Sequence, residues 1–293
     1  MGFPDIQNLS GLSPVGGLVN LAMPPTWAAC LGLLPGIQCI FKFGYSPDTD
    51  PGVGAPSDLW PGTQVGGGTE VGYRFLPSTA VPLSVFSSSP SASNGNPAGA
   101  WTVRIQGLDD EFNEIEEVVS LAGVSLVPTT LSFRRVYRAF VIEGGLIAGD
   151  RYRSNQGDIT IQGDIDDGAG GTETVPAAYI LSRFGQTTQT NYTIPAGKTG
   201  LIVQAAAQTL GTDDAEIGFT GSQLDPETGS RQPFRTGWYA TASRNVTQID
   251  GGQACTDLPE KTDVRMICFP ENQNVQVSGW YTLLLMANRP ESE

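Results

Sequence analysis

The stretch "AWTVRIQGLDDEFNEIEEVVSLAG", residues Ala100 to Gly123, holds two alternating runs joined by an acidic tip. In the first run Val103 and Ile105 fall on one side, with Thr102, Arg104 and Gln106 on the other. An extended chain turns successive side chains to opposite faces, so this alternation describes a strand with one dry and one wet face. The same signal continues in both directions. "VPLSVFSSS" precedes it, "LSFRRVYRAFVIEGG" follows, and "GDITIQG" places Ile159 and Ile161 together. Gly, Asn and Asp bound these runs, as they bound half-buried antiparallel strands.

A second series includes "YTIPAGKTGLIVQAAAQ", "KTDVRMICF" and "NVQVSGWYTLLLMA", the last with Val275, Val277, Tyr281, Leu283 and Leu285 on one face. Ile194 to Lys198 reads as a tight turn, with Pro195 pre-set for it and Gly197 free to take positive φ. No strong amphipathic helix is present; "DDAEIGF" holds one turn at most. The pattern predicts an all-β fold of one or two antiparallel β-sandwiches, with jelly-roll-like units.

Residues 1–70 are rich in Gly and Pro, with apolar islands such as "GGLVNLAM" and "ACLGLLPGIQCIFKF". They predict an extended N-terminal arm, or else a loosely patterned first strand or two of the same domain. The Gly-rich acidic joint "GDIDDGAGGTET", Gly163 to Thr174, reads as the main boundary. The expected division is therefore an arm over 1–70, a first sandwich over 71–167 and a second over 168–293.

Composition removes several function classes. The 293-residue chain carries a net charge of −14, so it has no basic surplus for nucleic acid or an anionic membrane. It has no histidine, which removes Ser-His-Asp sites, His-ligated zinc and imidazole proton shuttles. Arginine outnumbers lysine thirteen to three, a bias that suits packed interfaces. Cys30, Cys39, Cys255 and Cys268 lack C-x2-C spacing, and Cys268 alternates with Val264 and Met266 on an apolar face. Buried free thiols are expected, with disulfides as the alternative. No targeting segment is convincing, and no cofactor is expected.

The remaining constellations each have a bland reading. Asp109, Asp110, Glu111, Glu114, Glu116 and Glu117 include enough carboxylates for glycoside hydrolysis, yet they also describe a solvated hairpin tip. Asp164, Asp166 and Asp167, like Asp48, Asp50 and Asp58, sit in Gly-rich loops that calcium favours, but neither stretch has the EF-hand order. "GGLIAGDRYRSNQGD" lacks the phosphate-loop order. "FRRVYRAF" sets Arg135 beside Phe133 and Tyr137, with Arg134, Val136 and Arg138 facing away. That interleaving suits a protein interface, or salt bridges to the acidic hairpin. In the loop "SASNGNPAG", Asn94-Gly95 is a hairpin signal. Trp60, Trp101, Phe133, Arg135, Tyr137 and Arg138 are the candidate interface residues.

"DLWPG", "LSVFSSSPSASNGNPAGAWTVRIQGLDDEFNEIEEVVSLAG", "SFRRVYRAF" and "NQGDITI" resemble segments of structural proteins of tailed bacteriophages, especially those of marine and cyanobacterial hosts. The resemblance spans roughly residues 57–286 and lies mostly in turns and strands. Pro97, Ala98 and Trp101 depart from its pattern. It implies a β-rich virion component to which no catalytic residue carries over. The expected role is a non-enzymatic capsid decoration or cement protein in the virion. It would bind the major capsid protein or other virion proteins, as a homo-oligomer, with a trimer as the expected order. A tail, neck, fibre or host-adhesion component is the alternative. A carboxylate-based polysaccharide depolymerase is a reading from another class.

Overall fold

The computed structural model describes residues 25–49, 57–61, 73–93, 96, 99–145, 155–209, 215–224, 231–242, 247–250, 257–270 and 275–288. A short helix α1 (Pro25–Cys30) leads into the long strand β1 (Ile37–Thr49) and the two-residue β2 (Ser57–Asp58). Seven strands follow: β3 (Val81–Ser87), β4 (Ala100–Leu108), β5 (Glu114–Ser120), β6 (Val127–Phe133), β7 (Arg135–Gly144), β8 (Ile159–Asp166) and β9 (Thr172–Ile180). They form one sheet in the order β6-β3-β8-β9 and another in the order β5-β4-β7. The two sheets share a core that includes Leu83, Val85, Val103, Ile105, Ile159 and Ile161. These are the alternating residues of the sequence. Each such side chain taken out of water contributes about 1.5–3 kcal/mol.

The chain returns as β10 (Tyr192–Thr193), β11 (Lys198–Thr209), β12 (Ala215–Leu224), β13 (Arg231–Ala242), β14 (Thr247–Asp250), β15 (Asp257–Leu258), β16 (Asp263–Pro270) and β17 (Val275–Ala287). One sheet runs β1-β17-β11-β14, with β15 also on β11; the other runs β10-β16-β12-β13, with β2 also on β16. All pairings are antiparallel. Early and late strands thus alternate across both sheets, which is the double Greek key of a jelly roll. Its core holds Tyr192, Ile194, Ile217, Phe219, Met266, Tyr281 and Leu283.

One jelly-roll strand is split. Ser57 and Asp58 pair with Cys268 and Ile267, while Tyr192 and Thr193 pair with Val264 and Asp263. Both pieces lie on the edge of β16 away from β12, end to end. The seven-stranded sandwich is an insertion between them.

The chain is therefore divided differently from the sequence reading. Part of the expected arm is β1, paired with β17 from Ile37↔Met286 to Thr49↔Val275; residues 1–24 lie outside the described residues. The expected boundary at Gly163–Thr174 is the β8–β9 turn, where Asp166 pairs with Thr172. A hairpin turn and a linker both exclude apolar residues, so composition does not separate them. Asp167 Oδ1 accepts the Ala169 and Gly171 N–H groups at 2.8 Å, closing the turn.

Local outcomes are mixed. Gly197 has φ 73, as the Ile194–Lys198 turn requires. "DDAEIGF" is strand from Ala215 onward. Cys30 and Cys39 form a disulfide that ties α1 to β1, contrary to the expected free thiols. Cys268 is free and buried, as its alternation indicates. Cys255 and Asn94-Gly95 lie outside the described residues.

Candidate functional site

The two sandwiches meet around Asp263. Its carboxylate receives Arg135 Nε at 2.9 Å and Nη2 at 3.1 Å, the Thr193 hydroxyl at 2.5 Å and the Ser222 hydroxyl at 3.3 Å. Arg231 also donates to it. Burial alone raises a carboxyl pKa; here the guanidiniums of Arg135 and Arg231 and the Thr193 hydroxyl outweigh it and hold Asp263 below the usual range. Beside this hub the β4–β5 tip inserts Phe112, buried and at φ 68. The Arg134 guanidinium lies 4.5 Å from its ring centroid, Arg135 at 5.7 Å, Arg231 at 5.8 Å and the Lys261 ammonium at 5.9 Å. The cations meet the negative face of the ring. The Phe112 carbonyl accepts the Ala196 N–H at 3.0 Å, so the tip is docked on the jelly roll.

A cleft of about 540 Å³ opens along the same junction, between β1 on one side and β4, β5, β7 and residues 186–192 on the other. Lys42 reaches into it from β1 and is 7% exposed. Its ammonium donates to the Tyr137 carbonyl and lies 6.0 Å from the ring centroids of both Tyr137 and Tyr192. Among the described residues no carboxylate pairs with it. The nearby Glu114 is taken by Lys198 at 2.6 Å. Burial, and then the like charge of Arg138, lower the Lys42 pKa to about 7. Gln189 and Tyr192, which also line the cleft, each have a buried side-chain oxygen without a hydrogen-bond partner.

Among the described residues β1 is the outermost strand of its sheet. The Tyr45 N–H leaves the sheet to meet the Thr188 carbonyl at 3.1 Å. In an antiparallel ladder main-chain groups alternate in direction, so those of Phe43 and Phe41 also point away from β17 and toward the cleft. The side chains of Phe41 and Phe43 lie on the outer face of the sheet, 62% and 38% exposed, with Phe41 packed 5.5 Å from the Trp280 ring. Leu31 and Leu33, beyond α1, add further exposed apolar surface.

The sequence candidates separate. Trp60 is buried in the inserted sandwich, edge-on to Tyr73 at 5.3 Å, and Phe133 is fully buried; neither is available to a neighbour. Trp101 is half-buried, its indole N–H donating to the Asn96 carbonyl at 2.7 Å. Arg135 and Tyr137 face the jelly roll, so the interface they form lies within the chain. Arg138 is exposed, stacked 4.6 Å from the Phe140 ring. Phe133 and Val136 both enter the core, against the strict alternation expected, because the chain bends at Arg134 between β6 and β7.

The acidic cluster closes its own hairpin tip and ties it to β6 and the β6–β7 bend. Asp109 accepts the Asn113 N–H at 2.7 Å, Asp110 bridges Arg134 at 3.3 Å, and Glu117 accepts the N–H groups of Thr130 and Leu131 at 2.7 and 2.8 Å. Of the calcium candidates, Asp166 accepts the Gly168 N–H, Asp164 bonds the Thr174 hydroxyl, and Asp58 is buried against Arg265 at 2.9 Å. Lys42, Phe112 and Asp263 were not singled out by sequence. The signal for Lys42 was present: one of three lysines, alone in an apolar run.

A scan against protein-family models finds no match, and a search of curated proteins returns none. Among solved structures, the infectious bursal disease virus Gx strain overlays at 9% identity and TM-score 0.21, covering 91% of this chain and 80% of that chain. The VP2 subviral particle of the same virus overlays at 8% identity and TM-score 0.19, covering 90% and 78%. Overlays at these scores carry no functional assignment, and the jelly roll rests on strand pairing alone.

Proposed function

We propose that this chain is a non-enzymatic structural component of a virus particle, acting as a capsid decoration or cement protein. The observation that carries the reading is the apolar outer face of the β1–β17 sheet, where the exposed rings of Phe41 and Phe43 lie beside the half-buried Trp280. Contiguous apolar surface of this kind marks an association site. Jelly rolls serve in viral capsids and also in lectins, so the fold adds an analogy and no more. The phage-like strand and turn motifs point the same way. A homo-oligomer, with a trimer as the expected order, would bury this face against capsid or a neighbouring copy. Binding the assembled shell and not its parts then stabilises the shell by mass action.

The test compares particles with and without the protein under heating and osmotic shock. Loss of the protein should lower both tolerances, and unchanged tolerances would sink the cement role. Particle imaging that places the chain along the tail axis would replace it with the tail, neck or fibre alternative.

A further inference from the structure

We propose that the free edge of β1 between Cys39 and Phe43 accepts an extended acidic peptide from a partner protein, added as an antiparallel strand with one carboxylate set on Lys42. This goes beyond the virion reading and holds wherever the subunit sits.

Three features meet at this edge. The first is the main chain of Phe41 and Phe43, unpaired among the described residues and directed into the cleft rather than toward β17. An added strand lies about 4.8 Å away, and a cleft of about 540 Å³ is already open there. The second is register. Residues of the added strand opposite Phe41 and Phe43 would exchange both main-chain hydrogen bonds with them. The residue between them stands opposite Lys42 in a non-hydrogen-bonded pair, where side chains approach most closely. Its side chain points inward, as the Lys42 side chain does. The third is charge: the Lys42 ammonium has no carboxylate among the described residues, and Arg138 adds a second cation on the same cleft, while the acid of its lining, Glu114, is held by Lys198.

The arrangement selects as well as binds. A charged residue pointing inward from an edge strand is a common guard against indiscriminate pairing. A purely apolar strand laid on β1 would close off the remaining exposure of the ammonium and leave it only the Tyr137 carbonyl and two ring faces, which is unfavourable. A strand bringing Asp or Glu at that position supplies the missing partner. The motif is apolar–acidic–apolar, with the apolar residues beside Phe41 and Phe43 on the outer face.

The test titrates the intact protein with a capped pentapeptide Thr-Val-Asp-Val-Thr, read by calorimetry and by amide hydrogen exchange. Binding with new protection at the Phe41 and Phe43 amides is expected. Replacing the Asp by Lys, or N-methylating both valines, should weaken binding on the order of tenfold or more. Lys42→Met should erase the preference for Asp over Asn while leaving the circular dichroism unchanged. The peptide series on the wild-type chain stands even if that variant fails to fold. Equal binding of the N-methylated peptide, or no binding at millimolar concentration, overturns the proposal. So does protection of the same amides by self-association without peptide, which would make a second copy the occupant.

Discussion

Arg135 Nε and Nη2 grip the two carboxylate oxygens of Asp263 at 2.9 and 3.1 Å, joining the inserted sandwich to the jelly roll by a two-point fork. Both side chains are largely withdrawn from water, 4% and 12% exposed. Removing one partner of such a pair costs about 3–5 kcal/mol, because the other charge remains buried. Asp263→Asn should therefore lower the urea midpoint and expose the junction to protease. Replacing Arg135 and Arg231 by Met together with Asp263→Leu, which leaves neither guanidinium without its anion, should recover part of that loss. The Asp263 pKa is depressed, so its contribution is present above the ordinary carboxylate range and is lost as pH falls through the lowered value. Wild type and Asp263→Asn should converge only in strong acid.

Lys42 gives the opposite pH signature. Its folded pKa of about 7 lies below the unfolded value, so the unfolded chain binds more protons between these two values. The burden of burying the ammonium is complete below about pH 7 and is relieved as pH rises above it. Tyr137 and Arg138 on β7, Tyr192 on β10 and Glu114 on β5 are the ionisable groups lining the cleft around it. Lys42→Met should be more stable than wild type at pH 6, by several kcal/mol at most, with the gap narrowing by pH 9. Denaturation midpoints of both proteins across that range decide it. A gap independent of pH would show that the lysine does not titrate in the fold.

The cysteines make a separable prediction. Peptide mapping without reductant should recover Cys30 linked to Cys39. Burial pushes the Cys268 thiol up to about 12, so it should resist alkylation until the protein unfolds. A short loop closed by a disulfide gains about 2–3 kcal/mol. Cys30→Ser should release α1 locally, seen as faster proteolysis between residues 31 and 36.

Gly44 faces Gly279 across β1 and β17, and the pair leaves room for Leu59. A Cβ on Gly44 would stand 2.4 Å from the Leu59 carbonyl oxygen and 2.4 Å from Thr190 Cγ2. Neither backbone nor a packed methyl yields easily, so Gly44→Ala should cost about 1–3 kcal/mol. Thermal unfolding of the single variant measures it.

The strands legible in the sequence were those with one wet and one dry face, such as β4 and β8. β1 escaped because its pattern is inverted. Gln38, Lys42, Gly44 and Ser46 point to the interior side, with Ile40 the apolar member of that row, while Phe41, Phe43 and Tyr45 point outward. The hydrophobic stripe marks the surface there, and reading it as core or anchor misplaces the strand. The split jelly-roll strand was illegible for a different reason. Ser57-Asp58 and Tyr192-Thr193 are too short to carry a period, and only their shared partner β16 reveals the continuity. The arginines of "FRRVYRAF" read as an interface with a neighbour or as partners of the acidic hairpin, whereas Arg135 meets Asp263, 128 residues away in the same chain, a pairing that no local pattern marks.

The two ends of the insertion come back to nearly the same place. Asp58 stands opposite Ile267 and Tyr192 opposite Val264, leaving only Met266 and Arg265 between those partners. Two residues of extended chain would bridge that gap at about 3.3 Å each. The inserted sandwich is therefore a cassette. By connectivity it can be lengthened or exchanged without widening the gap along β16, but any replacement has to bring its own partners for Asp263, Lys42 and Arg265, so frame and insertion change together at the junction.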